Sequence, residues 1–268
     1  MRKSILSLAV AAAVLVPGLA AAQATAPSPL TGNATLISDY RFRGISQTYQ
    51  KPAFQGGFDY AHASGLYAGN WNSNVSQGAG FPGGNIEMDF YGGYKKAFGD
   101  LGLDVGFIYY YYPGTKAGAT PPFSPVNNKT GEVHSGKVDN KEIYIGGSWK
   151  WLSLKFYDSI DDYFSTPGTK NTYYVDFSGN YDLGNNWGVN GHFGHLKFKG
   201  MSNADYTDWK IGVTKDINGW VLGAAYLDTN AKGNCSTPAE FYCFGNTSGT
   251  ESKDAGKATL LLSISKTF

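Results

Sequence analysis

Asp104-Val105-Gly106-Phe107-Ile108-Tyr109-Tyr110-Tyr111 alternates two faces without a break, with Val105, Phe107, Tyr109 and Tyr111 on one side and Asp104, Gly106, Ile108 and Tyr110 on the other. Strict period two sends successive side chains to opposite faces of a sheet. One face here is apolar throughout. The same period runs from Ile86 to Tyr94, where Ile86, Met88, Phe90 and Tyr94 interleave with Glu87, Asp89 and Tyr91. It recurs from Thr172 to Tyr181, where Tyr173, Val175, Phe177 and Tyr181 interleave with Tyr174, Asp176, Ser178 and Asn180.

Extended outward, this period predicts twelve strands, at 33–46, 52–62, 66–74, 86–97, 101–112, 140–149, 152–161, 172–182, 187–197, 206–216, 220–229 and 257–268. Short joins at Ser64-Gly65, Gly99-Asp100, Lys150-Trp151, Leu183 to Asn186 and Asn218-Gly219 alternate with mostly longer ones at Val75 to Asn85, Pro113 to Asp139, Asp162 to Asn171, Phe198 to Asp205 and Asn230 to Gly256. Asn-Gly is a strong signal for a two-residue hairpin. Tight turns at one end and long loops at the other are the pattern of an outer-membrane barrel, whereas a soluble β-sandwich has no reason to obey it. The expected fold is therefore all-β, a closed antiparallel transmembrane β-barrel of about 12 strands with both termini periplasmic. Closure leaves no backbone group unpaired in lipid.

Leu103, Val105, Phe107, Ile143, Ile145, Leu154, Trp209, Ile211 and Val213 are then expected to face lipid, with their polar neighbours facing the lumen. A soluble barrel inverts this assignment and leaves Asp104, Glu142, Asp176 and Asp208 outside. Aromatics also gather near the strand ends. Tyr60, Phe98, Trp149, Trp151, Tyr181, Trp187, Trp220 and Phe268 fall on the periplasmic side, and Tyr109 to Tyr112, Tyr163, Phe164 and Tyr173 on the outer side. Interfacial girdles take this form, although soluble sheets also carry strand-end aromatics.

The chain ends fit export. Arg2 and Lys3, an apolar run from Ile5 to Val16 and the exit Ala20-Ala21-Ala22 read as a cleaved signal peptide over residues 1–22, leaving 23–268 as a single barrel domain. The apolar run is short of the roughly 20 residues of a spanning helix. No Cys follows to carry a lipid. Removing 22 residues leaves 20 Lys plus Arg against 21 Asp plus Glu, a balance that gives no electrostatic case for nucleic acid. Thirty-six Gly and 41 aromatic residues suit strands better than helices. Cys235 and Cys243 are expected to pair in an oxidising compartment. No further ligands lie near them for a metal, and no cofactor is indicated. At the other end, Leu260, Leu262 and Ile264 alternate up to Phe268, resembling the terminal signal read by outer-membrane assembly machinery; Lys266 departs from it.

Ser38-Asp39-Tyr40-Arg41-Phe42-Arg43-Gly44-Ile45-Ser46-Gln47, Pro52 to Tyr60, Ser64-Gly65-Leu66-Tyr67 and Gly69-Asn70-Trp71-Asn72-Ser73-Asn74-Val75 resemble the TorF family of porins, also described as Gcw-type conserved hypothetical proteins. The match is dense over the first two hairpins. The resemblance implies an outer-membrane location and a porin role, with no settled substrate and no catalytic residues.

The face assignment places Asp39, Asp59, Glu87, Asp89, Asp104, Glu142, Asp176 and Asp208 in the pore lining against Arg41, Arg43, Lys95, Lys155 and Lys210, eight acids to five bases. A two-residue turn at Gly99-Asp100 sets Lys95 across from Asp104. These charges form either a selective constriction, with a modest preference for cations or zwitterions, or a salt-bridged plug. The expected function is an outer-membrane porin passing small solutes or ions through a narrow polar lumen, with membrane lipids as its surroundings. A structural or adhesive barrel without an open pore stays open as an alternative, as does a barrel lipid hydrolase. The latter needs a His beside a nucleophile. His192 and His195 share one strand while His62 and His134 fall in a turn and a loop, and no Ser is evidently placed beside His195.

Overall fold

The computed structural model describes residues 28–116, 136–236, 240–246 and 248–268. The expected signal peptide, His134 and most of the 113–139 connection lie outside the described residues. In chain order the strands are β1 (Leu30–Ile37), β2 (Arg41–Phe42), β3 (Ile45–Ser46), β4 (Ala53–Ala61), β5 (Leu66–Asn74), β6 (Ile86–Phe98), β7 (Leu101–Tyr111) and β8 (Asp139–Trp149). They continue as β9 (Leu152–Ser159), β10 (Tyr173–Gly184), β11 (Trp187–Lys197), β12 (Tyr206–Ile217), β13 (Trp220–Thr229), β14 (Cys243–Gly245), β15 (Ser252–Asp254) and β16 (Thr259–Thr267).

Twelve of these close one barrel in the order β1-β16-β13-β12-β11-β10-β9-β8-β7-β6-β5-β4. Every pairing is between antiparallel neighbours. β1 seals the ring by pairing on both sides, Asn33 with Thr267 of β16 and with Gly57 of β4. Chain entry and exit share the end that carries the short turns, where the Phe268 N–H donates to the Gly32 carbonyl at 2.8 Å. At Asn218-Gly219 both residues have positive φ, 56° and 81°, the mirror-image turn whose twist suits a hairpin.

The outer wall is the apolar one. Ile145 is 54% exposed and Ile211 64%, while Glu142 and Asp208 on the other face are each 1% exposed. An apolar surface of this extent is stable only against lipid. At the short-turn end, the ammonium groups of Lys150, Lys215 and Lys266 each lie 4.9 Å from the ring centres of Trp149, Trp187 and Trp220. Lys266 thus sits on a girdle tryptophan, its stem on the apolar belt and its charge at the boundary, where an apolar residue is expected. At the opposite end, Lys141, Lys137 and Lys199 lie over Tyr109, Tyr111 and Tyr173. Tyr110, Tyr112 and Tyr163, expected in that outer girdle, turn inward and are buried. Alternation splits the tyrosine run between the two faces.

The expected first strand, 33–46, is corrected. β1 stops at Ile37, and Ser38 anchors the bend by donating its N–H to the Leu262 carbonyl at 2.9 Å. The chain then enters the barrel as the β2–β3 hairpin, turning at Arg43 and Gly44 with φ of 48° and 84°. The hairpin is itself β-structure, so its sequence alternates like a wall strand.

The core fills the loop end of the barrel. Phe81 stacks on Tyr112 at 4.4 Å, Tyr163 meets Phe198 edge-on at 5.2 Å, and Tyr206 meets Tyr242 at 5.1 Å. Within the 230–256 connection, the paired strands β14 and β15 fold back over this mouth. The expected Cys235–Cys243 disulfide is formed beside it, with Cα atoms 5.2 Å apart. Tyr242 donates to the Ala204 carbonyl at 2.6 Å, and Tyr49 to that of Glu251 at 3.0 Å.

A closed barrel resists unfolding by dodecyl sulfate until heated. An unboiled sample is expected to run ahead of a boiled one on a gel, and equal mobilities would exclude the closed ring.

Candidate functional site: the inward hairpin and the cavity beneath it

Asp39, Arg41 and Arg43 belong to the hairpin that crosses the lumen, not to the wall. The Asp39 carboxylate gathers the hairpin, accepting from Arg41 Nε at 2.5 Å, Ser46 Oγ at 2.7 Å and Thr48 Oγ1 at 2.9 Å. Arg41 also donates to the carbonyls of Gly44 at 3.0 Å and Ala255 at 2.8 Å. At the tip, a Cβ on Gly44 would lie 2.5 Å from Thr229 Cγ2 and 2.8 Å from Asp208 Cβ, so only glycine lets the hairpin press against β12 and β13.

Arg43 reaches the opposite wall. Its two terminal nitrogens donate to both oxygens of Glu142 on β8, at 2.9 and 2.7 Å, and one also donates to the Tyr163 hydroxyl at 3.1 Å. The guanidinium lies over the rings of Phe42, Tyr157 and Tyr174 at 4.7, 5.1 and 4.4 Å. A planar cation with a fork of donors suits both contacts at once. Glu142 is braced in turn by Asn140 Nδ2 at 3.1 Å and the Tyr110 hydroxyl at 3.3 Å. The β6 acids Glu87 and Asp89 are 0% and 4% exposed at the same level, where Glu87 accepts from the Tyr40 hydroxyl of the hairpin segment at 3.1 Å.

Below the hairpin a cavity of about 570 Å³ extends down to the turns around Gly99-Asp100 and Lys150-Trp151. Lys95, Asp104, Lys155, Asp176, His192, Asp208 and Lys210 line it. Lys95 does face Asp104 in register, as the turn requires. The short contact to Asp104 comes instead from Lys155 on β9, at 2.5 Å, because inward side chains two strands apart converge within a narrow ring. The Tyr67 hydroxyl donates to the other Asp104 oxygen at 2.6 Å, and the Lys95 ammonium lies 4.3 Å from the Tyr67 ring centre. Asp59 accepts from the Tyr91 hydroxyl at 2.6 Å.

Sequence reasoning placed His192 on a strand without assigning it to the lumen, although its parity, opposite to Phe193, puts it there. Its Nε2 is 2.6 Å from Asp208 Oδ2 and its Nδ1 is 3.1 Å from Asp176 Oδ2. Tyr174 donates to the other Asp208 oxygen at 2.8 Å, and Ser178 to the other Asp176 oxygen at 2.5 Å. Ser178 Oγ also lies 3.3 Å from His192 Nδ1, so the imidazole is held among two carboxylates and a hydroxyl. His195 lies on the outer wall, with its Nδ1 2.9 Å from Thr207 Oγ1.

The inward tyrosines, which sequence reasoning did not single out as a set, narrow the lumen by lying over glycines. Tyr144 faces Gly106 in register and Tyr91 faces Gly69; a Cβ at Gly106 would lie 2.6 Å from a ring atom and one at Gly69 2.4 Å. Glycine here makes room for a ring. The eight-to-five excess of acids resides in Glu87 and Asp89, packed beside the hairpin, and in one further acid set against His192.

Among solved structures, a KdgM porin aligns with a TM-score of 0.50 at 8% identity, covering 89% of this chain and 99% of that one. A NanC porin aligns with a TM-score of 0.49 at 9% identity, covering 89% and 98%. The KdgM likeness is one of fold, that of an outer-membrane porin barrel. No curated protein matches the chain by sequence. The TorF name has no counterpart in the family match, whose description is a bacterial protein of unknown function, Gcw_chp. That family model matches residues 21–268, and the chain belongs to the Gcw_chp family.

Proposed function

We propose that the protein is a narrow outer-membrane channel for small polar solutes, with its termini and short turns in the periplasm, and that the 38–52 segment is its gate. The supporting observation is how that segment joins the wall. Ile37 and Ala53, the residues on either side of it, are already register partners. The hairpin is therefore an insertion between two strands that pair without it. It can leave the lumen while every register pair of the barrel stays in place, with Ser38 still bonded to Leu262 of β16 at its root. Beneath it lies a charged cavity enclosed by an apolar belt, as a solute path through lipid requires.

Replacing 38–52 by an Asn-Gly turn is expected to give a folded barrel that conducts steadily in a planar bilayer, with the unaltered protein closed most of the time. A folded but non-conducting replacement would instead favour a structural or adhesive barrel, which the packed mouth also suits. Arg43→Ala removes the guanidinium from a buried carboxylate, a loss of about 3–5 kcal/mol. Since each 1.4 kcal/mol is about tenfold, the open fraction should rise by a hundredfold or more, measured from single-channel records. An unchanged open fraction would show that Arg43 does not hold the gate.

Asp39, Asp59, Asp104, Glu142, Asp176 and Asp208 are matched by Arg41, Arg43, Lys95, Lys155, Lys210 and His192. This balance holds with the segment in place; without Arg41 and Arg43 the walls keep an excess of acids, which supports a modest preference for cations. In a salt gradient the turn-replaced channel should therefore reverse on the cation-selective side of zero potential, and anion selectivity would remove this reading. The same reading assigns Phe268 to recognition by the assembly machinery.

A further inference from the structure

The lipid-facing wall carries one polar interruption away from the strand ends among the described residues. On β5, Asn70 is the register partner of Phe58 and Phe90, and Asn72 of Gly56 and Met88. Residues directly opposite share a face, and Phe58 and Phe90 are exposed on the outer one, so both amides belong to the belt. They are linked to each other and to the ladder. Asn72 Nδ2 donates to Asn70 Oδ1 at 2.6 Å, and Asn70 Nδ2 to the Asp89 carbonyl at 2.9 Å. The Asn72 Oδ1 atom is buried against the wall and has no hydrogen-bond partner. An amide oxygen left unpaired at membrane depth is costly. Next to it, Ala34 and Gly56 continue the same row across β1 and β4, a low strip between the rings of Phe54 and Phe58.

We propose that this patch is a contact between two copies of the chain within the membrane. An amide carries both donors and an acceptor, so two Asn70-Asn72 pairs related by a twofold axis complement each other, as an isologous interface requires. The terminal amide torsion is soft, and turning the Asn72 oxygen outward to its counterpart exchanges the Asn72–Asn70 bond for bonds across the twofold axis. Small residues beside the amides let two walls approach closely. Another copy is also the one partner that always presents the same amides at the same depth. A lipid tail offers no donor for them.

Because the native cysteines are paired, Asn70→Cys introduces a single free thiol. Under mild oxidation in native membranes it should give a crosslinked dimer about tenfold more abundant than Ile211→Cys, which lies on the exposed face of β12 away from the patch. The double variant N70L/N72L should remain heat-modifiable and weaken dimerisation about tenfold, the scale of lost amide hydrogen bonds in a membrane. Equal crosslinking at positions 70 and 211 would overturn the proposal. So would native mass spectrometry showing only monomers, with or without lipid bound at the patch. Should N70L/N72L fail to fold, the comparison of the two cysteine variants decides alone. None of these readouts depends on whether the lumen conducts.

Discussion

A peptide group in hydrocarbon has no water to bond with, and each one left unpaired costs several kcal/mol, so a sheet in lipid has to close. β1 carries that closure, because its residues pair with β16 on one side and β4 on the other. It is only eight residues long, and the chain leaves it at Ile37. Everything the molecule does inside the ring follows from the ring being complete without residues 38–52. A segment that adds no register pair to the barrel, and is tied to β16 through Ser38, is free to carry a different task.

The interior is held by charge and aromatic contacts rather than by an oily core. Tyrosines stand over glycines on neighbouring strands, which narrows the lumen while keeping hydroxyls available to carboxylates such as Asp59, Asp104 and Asp208. Arg43 joins the hairpin to β8 through a forked contact to both oxygens of a buried carboxylate, with its guanidinium stacked among rings. Burying such a pair adds little net stability, but breaking it leaves an uncompensated charge. The hairpin is therefore held firmly in one geometry, by this pair and by the burial of Tyr40, Phe42, Ile45 and Tyr49.

The loop end and the turn end differ for the same reason. Short turns leave the cavity accessible from one side. On the other, long connections supply enough chain to build a second, aromatic core over the mouth, tied by the Cys235–Cys243 disulfide and by hydrogen bonds from Tyr49 and Tyr242.

Period-two alternation and turn chemistry act locally, and what depends on them could be read from the chain. The strands at 66–74, 187–197 and 220–229 have the expected bounds, and the wall's lipid-facing side chains, such as Ile145 and Ile211, follow from parity alone. So do the lumenal places of Glu87, Lys155 and Lys210. Whether a stretch of alternating residues stays in the wall is a different matter. Ser38 to Ser46 has the same period as a spanning strand, and only the direct pairing of Ile37 with Ala53, across a gap in sequence, turns it inward. Which charge meets which is likewise tertiary: register set Lys95 opposite Asp104, but the curvature of the ring brought Lys155 there first. Alternation tells a side chain which face to take; how far it reaches, and whom it meets across the lumen, depends on the closed shape that all twelve strands make together.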